Sequence, residues 1–108
     1  MTEKDLQSIK FLKLEIKRND KLLQEVSRAG GSGKTYAELL ARTREELLRN
    51  KVEIETLIHS IDDAEIRLIL KYKFIDLKSW NFIARQMHYD RSTIYKKYKK
   101  FIKGEQEQ

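Results

Sequence analysis

The chain has 108 residues, 40% hydrophobic and 37% charged, a balance that suits long solvent-facing helices and leaves no room for two large domains. Pro and Cys are absent and Gly occurs only at 30, 31, 33 and 104, which excludes a many-stranded sandwich or barrel, a disulfide framework, thiolate zinc sites and a cysteine nucleophile. The 23 Lys and Arg against 17 Asp and Glu give a net charge of +6, which admits a polyanionic partner.

Residues 3–28 read as one helix, with Ile9, Leu12, Ile16, Leu23 and Val26 at alternating three- and four-residue steps once Asn19 fills the gap. Leu6, Phe11, Leu14 and Leu22 widen the apolar stripe beyond a two-stranded seam. Three Gly in four positions at 30–33 break the pattern, because each costs helix about 1 kcal/mol relative to Ala. A hinge or tight connection is expected there.

A second helix is expected from Thr35 to His59, carrying Leu40, Thr43, Leu47, Asn50, Ile54, Leu57 and then Ile61 at the same spacing. Folding back at Ser32 sets residues whose numbers sum to 62 or 63 against each other: Val26 with Tyr36, Leu23 with Leu40, Ile16 with Leu47, Ile9 with Ile54. Asn19 then meets Thr43 in a polar layer of the kind that fixes register in coiled coils. Helix 1 carries more apolar surface than one seam covers, and a monomer rarely leaves such a stripe in water. A homo-oligomer, dimer or larger, is therefore expected, held by Leu6, Ile9, Phe11, Leu12, Leu14, Ile16, Leu22, Leu23, Val26, Leu40, Leu47, Ile54 and Leu57.

Three shorter helices follow. Asp62 with Glu65 has capping-box spacing for a helix ending near Ile75. Ser79 caps a helix from Trp80 to Met87, and Asp90 caps one from Arg91 to Lys103. Gly104 is the expected stop, and 105–108, with no apolar anchor, the expected disordered tail. The fold class is thus all-α: a coiled-coil-like helical hairpin over 1–61, then a three-helix helix-turn-helix domain over 62–104.

Residues 80–98 have the helix-turn-helix layout, with small Ala84 where the helices touch and Ile83, Met87, Tyr89 and Ile94 around it. Between 78 and 103 eight cations face only Asp90. On the last helix Ile94, Tyr98, Phe101 and Ile102 share one face, leaving the rest to Arg91, Ser92, Thr93, Lys96, Lys97, Lys99, Lys100 and Lys103. The first two turns of a recognition helix reach base edges, and later cations meet phosphate. Arg91 suits bidentate contact with guanine, and Lys78, Arg85, Lys100 and Lys103 complete the set expected to bind DNA. Double-stranded DNA is the expected partner.

The runs Ile66-Arg67-Leu68-Ile69-Leu70-Lys71-Tyr72-Lys73-Phe74, Ser79-Trp80-Asn81-Phe82-Ile83-Ala84-Arg85-Gln86-Met87 and Asp90-Arg91-Ser92-Thr93-Ile94-Tyr95-Lys96-Lys97 resemble region 4 of bacterial sigma factors, a helix-turn-helix that reads the promoter −35 element. With the helical hairpin before it, the chain is similar to small phage and prophage transcriptional regulators of the ArpU and RinA type. The resemblance implies transcription regulation in a bacterial host cytoplasm, with RNA polymerase as a further partner. Carried over by position, it puts Arg91, Ser92 and Lys96 against bases, with Thr93, Tyr95, Lys97 and Lys99 beside them. The turn position usually held by Gly is His88, a residue that tolerates positive φ better than most, and nothing resembles sigma region 2. A small terminase-type DNA-packaging subunit and a coiled-coil protein–protein adaptor are the alternatives that suit the same layout.

Other signals carry no chemistry. Gly30-Gly31-Ser32-Gly33-Lys34-Thr35 ends like a P-loop, but Arg28 stands where the pattern needs Gly and the preceding residues are helical. His59 and His88 have no metal-ligand spacing, and the Ser, His and Asp residues near them read as caps and turns. No enzyme activity, metal or cofactor is expected. The eight aromatics after residue 61 are expected to fill the core of a small domain, with Trp80 inside, in preference to stacking on single-stranded bases. No apolar run reaches the roughly 20 residues of a membrane span, and Met1-Thr2-Glu3-Lys4-Asp5 has no secretory pattern, so a soluble cytoplasmic protein with no membrane partner is expected.

Overall fold

A computed structural model of the chain describes residues 1–30 and 34–106, and all regular structure among them is helical. The elements are α1 (Glu3–Ala29), α2 (Lys34–His59), α3 (Ala64–Leu70), a π-helical turn that continues α3 (Lys71–Ile75), α4 (Trp80–Met87) and α5 (Arg91–Gln106). No helix among the described residues is long and apolar enough to cross a membrane. Gly30, the first residue after α1, has φ +86°; the rest of the glycine-rich connection, 31–33, lies outside the described residues.

Helix α1 opens with a reciprocal cap. The Asp5 N–H donates to Thr2 Oγ1 at 3.2 Å, and the Thr2 N–H donates to Asp5 Oδ2 at 2.9 Å, so two otherwise orphaned donors are satisfied together. The helical hairpin takes the expected antiparallel sense. Arg44 Nε donates to Asp20 Oδ1 at 2.6 Å, which sets the sum of facing numbers at 64, within two of the predicted register.

Two local expectations change. Asp63, not Asp62, caps α3: its carboxylate accepts from the Glu65 and Ile66 N–H groups at 3.0 and 3.1 Å. The Asp next to the helix has the reach, and its neighbour one step earlier does not. At the other end of the chain, α5 runs through Gly104 to Gln106, so Gly104 is no stop and 105–106 are helical; 107–108 lie outside the described residues. The cost of about 1 kcal/mol for one helical Gly is small against the packing of Phe101 and Ile102 one turn before it.

The compact units also divide differently from the expected boundary at 61 and 62. One unit comprises Met1–Lys10 and Ile54–Gln108, and the other Phe11–Glu53. The first has a continuous core: Leu6 and Ile9 from α1, Ile58 from α2, Ile66, Ile69 and Leu70 from α3, Phe74 from the π turn, Ile83 and Ala84 from α4, and Ile94, Tyr98 and Ile102 from α5. Leu6 and Ile9 are fully buried and Ile54 packs against the same cluster. These three, assigned from sequence to self-association, are occupied within the chain. Their reason for being there is physical: three short helices bury little apolar surface by themselves, and the first turns of α1 and the last turns of α2 add apolar cover.

Candidate nucleic-acid interface

Helices α4 and α5 are joined by a tight reversal. The Tyr89 N–H donates to the Ala84 carbonyl at 3.0 Å and the His88 N–H to the Arg85 carbonyl at 3.4 Å, with His88 at φ 59° and ψ 41°. This is the Schellman arrangement, in which a left-handed residue satisfies the last helical carbonyls. His88 takes the conformation that its place in the motif requires. Ser79 caps α4 as expected, its Oγ accepting from the Phe82 N–H at 3.1 Å. Ile94 N–H donates to the Asp90 carbonyl at 3.1 Å, which starts α5 one residue later.

Helix α5 is seated by Ile94, Tyr98 and Ile102, all buried, against α3 and α4. At 3.6 residues per turn the opposite face belongs to Ser92, Lys96, Lys100 and Lys103, all exposed. Arg91 and Tyr95 lie on one flank and Thr93 and Lys97 on the other. Lys78 and Arg85, contributed from before α5, are exposed as well. A shallow cleft lined by Ser79, Asn81, Ala84, Arg85, Tyr89, Asp90 and Arg91 joins the start of α4 to the start of α5. All eleven residues predicted to meet DNA thus lie on α4, α5 or the segment just before them.

Their electrostatic states differ. Among the described residues, Arg85, Arg91, Lys96, Lys100 and Lys103 have no carboxylate within ion-pairing distance. Lys97 lies 3.8 Å from the buried Glu65 Oε2, an ion pair too long for a hydrogen bond, and its ammonium stands 5.3 Å over the Tyr89 ring. Glu65 also raises the Tyr89 hydroxyl pKa. Lys99 donates to Glu3 Oε2 at 3.3 Å, beside a 2.7 Å hydrogen bond from Tyr98 Oη to the same oxygen. That bond with Glu3 raises Lys99 above its ordinary value. So two of the predicted DNA-binding residues already have acidic neighbours, one of them 96 residues away in sequence.

The aromatic residues split by layer. Phe74 and Tyr98 are buried, with ring centroids 5.8 Å apart, and Tyr72, Phe82 and Phe101 are half-buried. Trp80, expected inside, is only half-buried, its ring 5.0 Å from that of Tyr98 and edge-on to Tyr95 at 5.4 Å. Tyr89 and Tyr95, expected in the core, are 40% and 42% exposed. Both stand beside lysines at the edge of the basic face.

Two participants escaped the sequence reasoning. Glu3 reaches α5 through tertiary folding, and no local pattern announces it. Lys73 follows the buried stripe of α3 at helical spacing, yet its ammonium stands 4.7 Å over the Trp80 ring; closeness in sequence to the basic stretch that begins at Lys78 was the available clue. Among the described residues no cluster of His, Asp and Glu could hold a metal ion.

Residues 34–105 match the family described as "Protein of unknown function (DUF1492)", and the chain belongs to that family. No curated protein and no solved structure matches it.

Proposed function

We propose that this DUF1492 protein is a sequence-specific double-stranded DNA-binding protein, a phage or prophage transcriptional regulator whose α5 enters the major groove of a promoter or operator. One observation carries the reading: α5 is held by one buried stripe, while Arg91, Lys96, Lys100 and Lys103 on its exposed faces have no carboxylate of the described residues within ion-pairing distance. An unbalanced row of this kind is costly by self-repulsion and becomes favourable against a phosphate backbone. Arg91, Ser92 and Lys96, exposed in the first two turns, are the candidates for base edges. Lys100 and Lys103 follow the backbone. The left-handed reversal at His88 supports the same reading, because it sets two short helices at the close approach that the motif uses.

The deciding experiment is selection of bound duplexes from a random pool, followed by titration against salt. Neutralising about 5 phosphates gives a log–log slope of about −4 to −5, and a flat response excludes duplex binding. Arg91→Ala is expected to cost about 1–3 kcal/mol on the selected site and to relax preference at one or two positions. Lys103→Ala should weaken selected and random duplexes alike.

A further inference from the structure

We infer that Lys73, on the π-helical turn, is a phosphodiester-binding residue that carries the DNA footprint beyond the helix-turn-helix, held in place by the face of Trp80. The inference rests on the duplex-binding reading and adds a contact that neither the recognition-helix pattern nor the family match assigns.

The geometry begins with the π turn. The Asp76 N–H reaches back to the Lys71 carbonyl at 2.9 Å, and the Lys78 N–H to the Tyr72 carbonyl at 2.9 Å, with Leu77 in the left-handed region at φ 58°. Such wide turns frequently mark functional sites. Here the turn sends Phe74 into the core, where it packs on Tyr98, and leaves Lys73 half-buried over Trp80. Trp80 is in turn wedged edge-on against Tyr95, which stands one turn after Arg91 on the same flank of α5. A lysine that would otherwise sweep through solvent is thereby fixed beside the start of the recognition helix.

What surrounds that ammonium is the second observation. Burial first, and then the cations Arg91 and Lys10 nearby, hold it below the ordinary lysine range. Among the described residues no carboxylate pairs with it. A desolvated cation in a field of its own sign lacks a counter-charge, and a ring face compensates only partly, by about 0.5–2 kcal/mol. An anion placed among Lys73, Arg91 and Lys10 relieves repulsion and desolvation together. On a face that already carries the unpaired cations of α5, the anion of fitting chemistry is a backbone phosphodiester next to the groove that Arg91 enters. Structural packing alone does not account for the arrangement, because Met or Leu would cover Trp80 without the charge penalty.

The test measures binding of the full-length chain to a random-sequence duplex of about 20 base pairs across a series of KCl concentrations. Lys73→Met keeps an apolar stem on Trp80 and removes the charge; Lys73→Gln is the second neutral variant, and Lys73→Arg the charged one. Losing one phosphate contact reduces the log–log slope by about 0.9, so both neutral variants should lose about 3.5-fold less affinity than wild type between 50 and 200 mM salt. Lys73→Arg should retain the wild-type slope. An unchanged slope in a folded neutral variant overturns the Lys73 site and leaves duplex binding by α5 standing, whereas absence of duplex binding by the wild type overturns both. The only tryptophan of the chain separates the sources of phosphate: emission from Trp80 should change on adding duplex and not on adding inorganic phosphate at equal phosphate concentration. An equal change with inorganic phosphate would make this a free-anion site and overturn the backbone assignment.

Discussion

The unit formed by Met1–Lys10 and Ile54–Gln108 and the unit Phe11–Glu53 are built from the same helical periodicity and end in opposite states. The first buries apolar side chains from every helix of the chain. The second, among the described residues, buries only Leu40 and Asn19, and the Asn19 Oδ1 has no hydrogen-bond partner. Phe11, Leu14, Leu39 and Val52 are between 54% and 63% exposed there. A heptad seam therefore guarantees a helix and not a core. Two helices cover one stripe each, and a third layer is needed before side chains reach full burial. In the first unit the short C-terminal helices provide that layer. In the second a further copy of the chain is the proposed provider.

The largest expected effect tests where the boundary falls. Leu6→Ala is expected to cost about 2–5 kcal/mol in denaturant unfolding, as Ile69→Ala does, because both side chains are fully buried in one cluster. Leu14→Ala, at 56% exposure, should change monomer stability by less than about 0.5 kcal/mol. If Leu6→Ala proves as mild as Leu14→Ala, the first ten residues do not belong to the core and the contrast between the units fails.

A second, intermediate effect concerns what covers the exposed apolar residues. The chain is expected to be a dimer or larger at micromolar concentration, measured by light scattering across a dilution series. Replacing Phe11 and Leu14 by Lys should raise the dissociation constant at least tenfold per site, since burial of such side chains contributes about 1.5–3 kcal/mol each. Core packing of the other unit should be untouched. A monomeric wild type would leave Phe11 and Leu14 in water and overturn the homo-oligomer expected from the sequence.

The contrast also explains what was legible in the sequence. Helix ends were readable wherever one side chain decides them: Ser79 at a cap, His88 at a left-handed turn, Gly30 at the end of α1. The fold-back register followed from apolar spacing, and the Asp20–Arg44 contact lies within two of it. The basic face of α5 was visible because charge asymmetry survives without coordinates. Contacts that join distant segments were not. Leu6 and Ile9 look like any heptad residues, and only the shortage of cover on three short helices draws them into the core. The π turn and the left-handed Leu77 have no sequence signal, since Leu is not a residue that favours that conformation. Asp62 and Asp63 differ by one position, and propensity does not choose between them.

The smallest expected effect sits where α1 meets α5, in the Glu3, Tyr98 and Lys99 cluster. The Tyr98 hydroxyl holds the Glu3 carboxyl below its ordinary value of 4.5, burial opposes, and Lys99 assists. Burial first, and Glu3 second, push Tyr98 above 10.0, and Glu3 raises Lys99 above 10.5. For Glu3 a lowered folded pKa means that its contribution is complete above about pH 4.5 and is lost as pH falls through the folded value. Tyr98 and Lys99 have raised values, so their contribution is complete below about pH 10 and is lost as pH rises further. The contact therefore stabilises the fold over the whole neutral range and fails at both ends. Tyr98→Phe keeps the buried ring, removes the hydroxyl, and should cost about 0.5–1.5 kcal/mol at pH 7. Urea unfolding at pH 3.5, 7 and 10.5 measures the rest. The gap between wild type and Tyr98→Phe should be widest at pH 7 and narrower at both extremes. A gap independent of pH would mean that the hydroxyl acts by packing alone and that Glu3 does not tie the first turn of α1 to α5.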